Sequence, residues 1–311
     1  MGLSEVKTSR LETIEINGRA LQVRHWGPDD APALFMLHGW MDCSATFQFV
    51  ADELRQPWHV IAPDWRGHGG SHRTGETYPF LQFVADLDAV LEHYSPDDPV
   101  CIVGHSLGAN ASTAYAGSRP ERVHRLVNLE GLAPVPGYWK GTAAEQVERW
   151  LATLRKGVTN RRYPDQPALA GRLSQANPRL TPQRAHFLAR EFSRAQPDGT
   201  FEFDMDAYHQ ARAPMLGHES LVESAWPRVT APVLLVTAAD SDIYKAFSNA
   251  PDTFARRVAL LRNVEHVHLN HAGHNLHHDA PEQVATLIEH FLSLQRTRGG
   301  AAVCHDRARL R

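Results

Sequence analysis

The sequence predicts an α/β fold: a mostly parallel central sheet with helices on both faces, and an inserted helical cap. Three observations carry that prediction. Short, nearly continuous apolar runs alternate with helical periodicity as far as about residue 130, the arrangement of a sheet wrapped by helices. The alternation breaks between about Ala133 and Thr230, where helical segments follow one another, and it resumes at Val233 to Thr237. The chain has 311 residues, which suits one large domain carrying an insertion.

In chain order, Leu11 to Ile16 and Ala20 to Trp26 flank Asn17-Gly18, a pair that supplies the positive φ of a tight hairpin turn. Ala33 to Leu37, Trp58 to Ala62, Pro99 to Val103 and Arg125 to Leu129 are apolar enough to be strands buried on both faces, hence parallel and central. Phe80, Phe83, Val84, Leu87, Val90, Leu91 and Tyr94 recur at three- and four-residue intervals and make one apolar helix stripe. Small residues from Leu107 to Gly117 predict a second helix. Ala143 to Leu154 and Pro182 to Arg194 are helices of the insertion. Val264 to Leu269 reads as a last strand. Asp279, Pro281 and Glu282 then form a cap, first-turn proline and capping-box acid ahead of a helix that ends near Leu294. The expected division is a core of residues 1–133 and 230–297, a cap of 134–229 and a tail of 298–311.

Composition narrows the function classes. With 42% hydrophobic and 22% charged residues, 21 Gly and 20 Pro, collagen, coiled-coil and wholly disordered chains are excluded. A net charge of -3 supplies no basic field, so no nucleic-acid partner is expected. Cys43, Cys101 and Cys304 are odd in number and lack ligand spacing, which predicts neither a disulfide framework nor a zinc ribbon and suits a reducing compartment. The first twenty residues hold no apolar stretch, and no run approaches the ~18 apolar residues of a membrane span. The expectation is a soluble cytoplasmic protein acting on a small molecule, with no membrane partner.

The chemistry is concentrated in three places. Gly104-His105-Ser106-Leu107-Gly108 follows a strand and opens a helix, so it is a G-x-S-x-G turn in strand–turn–helix context. Such a turn is so sharp that side chains two positions either side of the serine would clash. It lifts the Ser106 hydroxyl out of the sheet and sets the helix dipole and the Leu107 N–H where an oxyanion would form. Leu37-His38-Gly39-Trp40 ends an early strand, and the Trp40 N–H is the candidate second oxyanion donor. Ala272-Gly273-His274 follows the last strand and puts an imidazole at the same sheet edge. An imidazole, with an ordinary pKa of about 6.5, suits a general base.

The candidate acids behind His274 are Asp242, then Asp240, then Glu130, the first two just past Val233 to Thr237 and the third at the end of an earlier strand. His266, His268 and His271 mimic an H-x-H-x-x-H metal run, but no matching ligand set follows, and no metal is expected.

HGW at 38–40, DWRGHGGS at 64–71, GHSLG at 104–108 and GH at 273–274 followed by a Pro-Glu helix occur in the order of the α/β-hydrolase fold superfamily, which the chain resembles from about Leu11 to Leu294. The resemblance implies Ser106 as nucleophile, His274 as base, Trp40 and Leu107 as oxyanion donors, and a cap after the sixth strand. It also implies an acid after the strand near Val236. Asp242 matches if Ala238 replaces a glycine, which keeps Asp240 as the alternate. Some branches use the preceding strand, so Glu130 stays third. Asp64 and Arg66 are expected to be structural and Cys43 inert. Serine at the elbow in place of aspartate disfavours the aspartyl-ester chemistry of dehalogenases and epoxide hydrolases.

The expected activity is cleavage of a small, partly apolar carboxylic ester through an acyl-serine, with no cofactor. Carbon–carbon, thioester or amide hydrolysis would use the same groups. A non-catalytic ligand-binding receptor of the same fold is the alternative from another class.

Overall fold

A computed structural model describes residues 6–138, 140–214 and 216–293. Strands β1 (Ser9–Ile16) and β2 (Arg19–Trp26) form the opening hairpin, with Asn17 and Gly18 both at positive φ, 50° and 70°. β3 (Ala33–Leu37), β4 (His59–Pro63), β5 (Val100–His105) and β6 (Val123–Leu129) follow, interleaved with helices α1 (Gln48–Glu53), α2 (Phe80–Tyr94) and α3 (Leu107–Ser118). The inserted segment holds α4 (Ala143–Lys156), β7 (Arg162–Tyr163), α5 (Gln166–Ala176), α6 (Pro182–Glu191), β8 (Ser193–Ala195), β9 (Phe201–Phe203) and α7 (His218–Ala225). The chain then completes the sheet through β10 (Val233–Ala238), α8 (Asp242–Ser248), α9 (Pro251–Ala259), β11 (Val264–Leu269), α10 (Leu276–Asp279) and α11 (Pro281–Ser293).

The main sheet has eight strands in the order β1-β2-β4-β3-β5-β6-β10-β11. β2 pairs antiparallel with both β1 and β4, and the remaining pairs are parallel. The two-residue period of a strand explains why the central runs are almost wholly apolar. Phe35, Leu37, Ile102, Leu126 and Leu235 point into one core layer, which Phe83 and Leu87 of α2 and Ala111 and Tyr115 of α3 complete. Leu34, Met36, Val103, Val127 and Val236 point into the other, against Val50 of α1 and Val284 and Ile288 of α11. Both layers are shielded from water, so the sheet is sandwiched as the sequence predicts.

Register decides where chemistry can gather. Leu37 lies beside Gly104, His105 beside Leu129, Leu129 beside Val236, and Ala238 beside Leu269. The carboxyl ends of β3, β5, β6, β10 and β11 are therefore level, and the loops leaving them share one rim, the usual ligand side of an open parallel sheet.

The insertion is more mixed than the periodicity implies. Besides its helices it holds a small antiparallel sheet, β7-β9-β8, built from strands of two or three residues that are too short to show alternation. Its Tyr163, Leu169, Leu188 and Phe192, with Phe187 and Phe203 packed against them, form an apolar cluster with Cys43 and Ala45 of the loop after β3. Trp226 instead joins the main core. The aromatic wealth of this segment thus mostly serves packing. The expected tail at 298–311 lies outside the described residues. No helix among the described residues is long and apolar enough to cross a membrane.

Gly117 of α3 packs against the end of α7: a Cβ there would lie 2.1 Å from the Ala225 carbonyl oxygen. Backbone cannot swing aside as a side chain can. Gly117→Ala is expected to destabilise the fold by about 1–3 kcal/mol, read as a lowered urea midpoint with an unchanged slope.

Candidate active site

Ser106 sits between β5 and α3 with φ 50° and ψ -110°, outside the regions that side-chain-bearing residues ordinarily occupy. The turn closes because its flanks are glycine. A Cβ on Gly104 would come 2.6 Å from the Ala109 backbone, and one on Gly108 2.2 Å from the Leu37 carbonyl oxygen. Although Ser106 is the residue preceding α3, its hydroxyl caps no helix N–H. It faces His274 instead, with Ser106 Oγ 3.0 Å from His274 Nε2.

His274 is held from several sides. Its carbonyl accepts from His105 Nε2 at 2.9 Å. The preceding Gly273 N–H donates to Asp279 Oδ2 at 2.8 Å, and the Asp240 N–H donates to the Ala272 carbonyl at 3.0 Å. Asp279 was expected to cap α11. It is instead the last residue of α10, and its carboxylate holds the His274 loop while accepting from Asn177 of the insertion at 2.6 Å. Pro281 does begin α11.

The carboxylate that meets the imidazole is Glu130: its Oε2 lies 3.4 Å from His274 Nδ1. Asp242, ranked first from sequence, is exposed in the first turn of α8, and Asp240 is exposed and paired with Arg179. The reason is local. Ser241 caps α8, its hydroxyl receiving the Ile243 and Tyr244 N–H groups and donating to Glu130 Oε2, which turns Asp242 out to the helix surface. Glu130 is fully buried, and its Oε1 accepts the Ala238 N–H at 2.7 Å. Its φ of 61° is held by Asn128, whose side chain accepts from the Gly131 N–H at 2.7 Å and donates to the Gly131 carbonyl at 3.0 Å. The sequence marks Asp279 only as a helix cap and Ser241 not at all, because each works here through a contact made after folding.

Gly39 packs against the nucleophile turn, where a Cβ would lie 3.4 Å from Ser106 Cβ and 2.9 Å from His105 Nδ1. Trp40 follows it directly. The Leu107 N–H is among the first-turn donors that an α-helix cannot satisfy internally. Leu107 thus follows Ser106 directly, and Trp40 follows the glycine that packs against it. The 64–71 loop braces this arrangement from behind. Trp65 donates its backbone N–H to His38 Nε2 at 2.9 Å and its indole N–H to the His38 carbonyl at 2.8 Å. Asp64 Oδ1 receives the Ser44 N–H at 2.6 Å, and Arg66 pairs with buried Asp86. Burial pushes the Cys43 thiol well above its ordinary pKa, which leaves it protonated and unreactive.

The histidines of the H-x-H-x-x-H run do not converge on one point: His266 and His268 both contact the Thr237 hydroxyl, at 2.8 and 2.9 Å, while His271 is exposed. Asp42, His105 and His277 do converge, their nearest ligand atoms within 4.8 Å of one another. The donor types suit zinc. The Nε2 of each imidazole is already engaged, by the His274 carbonyl and by the Thr46 hydroxyl at 2.8 Å. Two surface clefts, of about 420 and 580 Å³, are lined respectively by residues around Arg73 and Arg194 and by residues around Glu53 and His268, and neither is lined by Ser106, Glu130 or His274.

Comparison with known proteins bears on the fold and the family. A family model described as "alpha/beta hydrolase fold" matches residues 32–281. A serine hydrolase-like protein of Danio rerio is 30% identical over 295 residues, covering 87% of this chain and 84% of its own. A putative esterase/lipase of Haemophilus influenzae is 21% identical over 85% of this chain and 84% of its own. Among solved structures, the thioesterase domain from the curacin biosynthetic pathway superposes with a TM-score of 0.80 at 28% identity, over 91% of this chain and 99% of that one.

The many buried histidines have a measurable consequence. Burial lowers His38, His209 and His277 to a pKa of about 3, and His25 and His218 to about 4. Unfolded, each takes a proton near 6.5; folded, each refuses it until far lower, so falling pH favours the unfolded chain through that interval. Asp64 acts oppositely, since burial raises it to about 6 and its protonation favours the fold as pH drops below that value. The histidines outnumber it. The melting temperature is expected to fall steadily from pH 7 to pH 4.5, as checked by calorimetric scans in matched-salt buffers.

Proposed function

The chain belongs to the alpha/beta hydrolase fold family, and on that premise we propose that it is a serine hydrolase that moves an acyl group first to Ser106 and then to water. The observation carrying this reading is the continuous line from Ser106 Oγ through His274, 3.0 Å away, to the buried Glu130 carboxylate at 3.4 Å. In this reading His274 Nε2 takes the Ser106 proton as Oγ attacks a carbonyl carbon. The Leu107 and Trp40 N–H groups hold the resulting oxyanion, aided by the N-terminal end of α3. Glu130 keeps the proton of neutral His274 on Nδ1 and stabilises the imidazolium. Its contact is long for a charge-assisted bond, and such contacts tighten when the ring becomes charged. The imidazolium returns its proton to the leaving group, and water repeats the sequence to release the acid.

The substrate class is an acyl compound with a labile leaving group, a carboxylic ester or thioester, in keeping with the names carried by its relatives. Residues 134–229 act as a cap over the core formed by 1–133 and 230–297. Asn177 contacts Asp279, Arg179 pairs with Asp240, and Arg184 donates to the His278 carbonyl at 2.8 Å, so the insertion is tied to the loops that carry His274.

Ser106→Ala should abolish labelling by a fluorophosphonate, and labelling that persists would remove Ser106 from the role. Glu130→Gln is expected to lower kcat on short nitrophenyl esters by about 10²–10⁴-fold, whereas Asp242→Asn should stay within about twofold of the parent. A larger loss in Asp242→Asn than in Glu130→Gln would move the acid to α8.

A further inference from the structure

Beside the oxyanion loop stands a guanidinium without a counter-ion. Arg212, in the segment between the insertion's small sheet and α7, lays its Cζ 3.2 Å from the centre of the Trp40 ring, with Tyr138 on a further side at 5.6 Å. Trp40 is the residue after Gly39, which packs against the Ser106 turn, so this cation stands beside the loop that flanks Ser106.

Several other guanidiniums that the fold draws out of water have carboxylates. Arg24 pairs with Glu191, Arg66 with Asp86, Arg73 with Asp204 and Arg257 with Glu219. Arg212 is half-buried and pairs with none among the described residues. Burial alone drags its pKa down to about 10, with no acid offsetting the loss of water. A stacked guanidinium loses access to one face only. Its N–H donors lie in the guanidinium plane, in a fork that matches the two oxygens of a carboxylate.

We infer that Arg212 is a specificity-determining residue that binds a carboxylate carried on the acyl chain, so that the preferred substrates are anionic hemi-esters or hemi-thioesters of dicarboxylic acids. The inference rests on the acyl-transfer reading above and specifies its substrate class. Trp40 has two parts in it: its backbone N–H is the oxyanion donor of the acyl-transfer reading, and its ring stacks on the guanidinium that would hold the far end of the acyl chain.

The test compares two 4-nitrophenyl esters of adipic acid, one with the second carboxyl free and the other with it methylated. In the parent protein the ratio of kcat/KM, free acid over methyl ester, is expected to be about 10- to 100-fold, the range of a hydrogen-bonded charge pair. In Arg212→Gln that ratio should collapse toward one, chiefly through KM, and Arg212→Lys should recover part of it. A parent ratio at or below one, or a ratio that Arg212→Gln leaves unchanged, overturns the inference while the hydrolase reading stands.

Should neither ester be turned over and Ser106 resist the fluorophosphonate, the hydrolase reading is what has failed. Calorimetric titration with adipate then decides Arg212 separately. Heat of binding that vanishes in Arg212→Gln upholds the anion site, and no binding to the parent removes it. Matching circular dichroism melts for Arg212→Gln and Arg212→Lys keep misfolding from imitating either result.

Discussion

One backbone constraint underlies the whole rim: the passage from β5 into α3 must be made within a single residue, Ser106, held at φ 50°. The turn is possible only because the sheet and the helix approach so closely that nothing larger than hydrogen fits at Gly104 and Gly108. The strain is offset by neighbours on both sides. Ser106 N–H donates to the Leu129 carbonyl at 2.9 Å, and Gly108 N–H to the His38 carbonyl at 3.1 Å. The Ser106 turn is thus tied to β6 through one bond and to the loop at His38 through the other. Of the four non-glycine residues at positive φ among those described, Met41, Ser106 and Glu130 all lie on this rim, which is where strained backbone tends to accumulate when geometry serves chemistry.

Glu130 is the second point on which the rim depends. Its carboxylate receives the Ala238 N–H and the Ser241 hydroxyl and faces the His274 ring, so three loops from three strands converge on one buried charge. Those donors make burial of the anion tolerable, because each replaces a water that a solvated carboxylate would have kept. The same contacts carry positional information. Ser241 is shared between capping α8 and holding Glu130, so the start of that helix and the orientation of the imidazole are set together.

The insertion completes the arrangement from above. It shares an apolar cluster with Cys43 and Ala45 of the loop after β3, and it adds polar contacts to Asp240, Asp279 and the His278 carbonyl. The sheet positions Ser106, Glu130 and His274, and the insertion brings Arg212 and Tyr138 over the Trp40 ring.

Much of this was legible in the amino-acid order alone. The Asn17-Gly18 turn, the doubly buried strands, the break in periodicity after β6, and the Ser106 and His274 loops are written in patterns that a few neighbouring residues impose, through side-chain volume, allowed φ and apolar period. The partner of the His274 ring was not. Asp242, Asp240 and Glu130 all follow strands of the same sheet, and local pattern ranks them by resemblance, whereas the choice turns on which loop a capping serine rotates outward. The short strands of the insertion, the role of Asp279 and the lone guanidinium on Trp40 were equally silent, since each depends on residues brought together from distant parts of the chain. Local sterics and periodicity thus determined the elements and the sharp turn at Ser106. Only the packed fold, by deciding which polar groups lose water together, determined which carboxylate the imidazole meets.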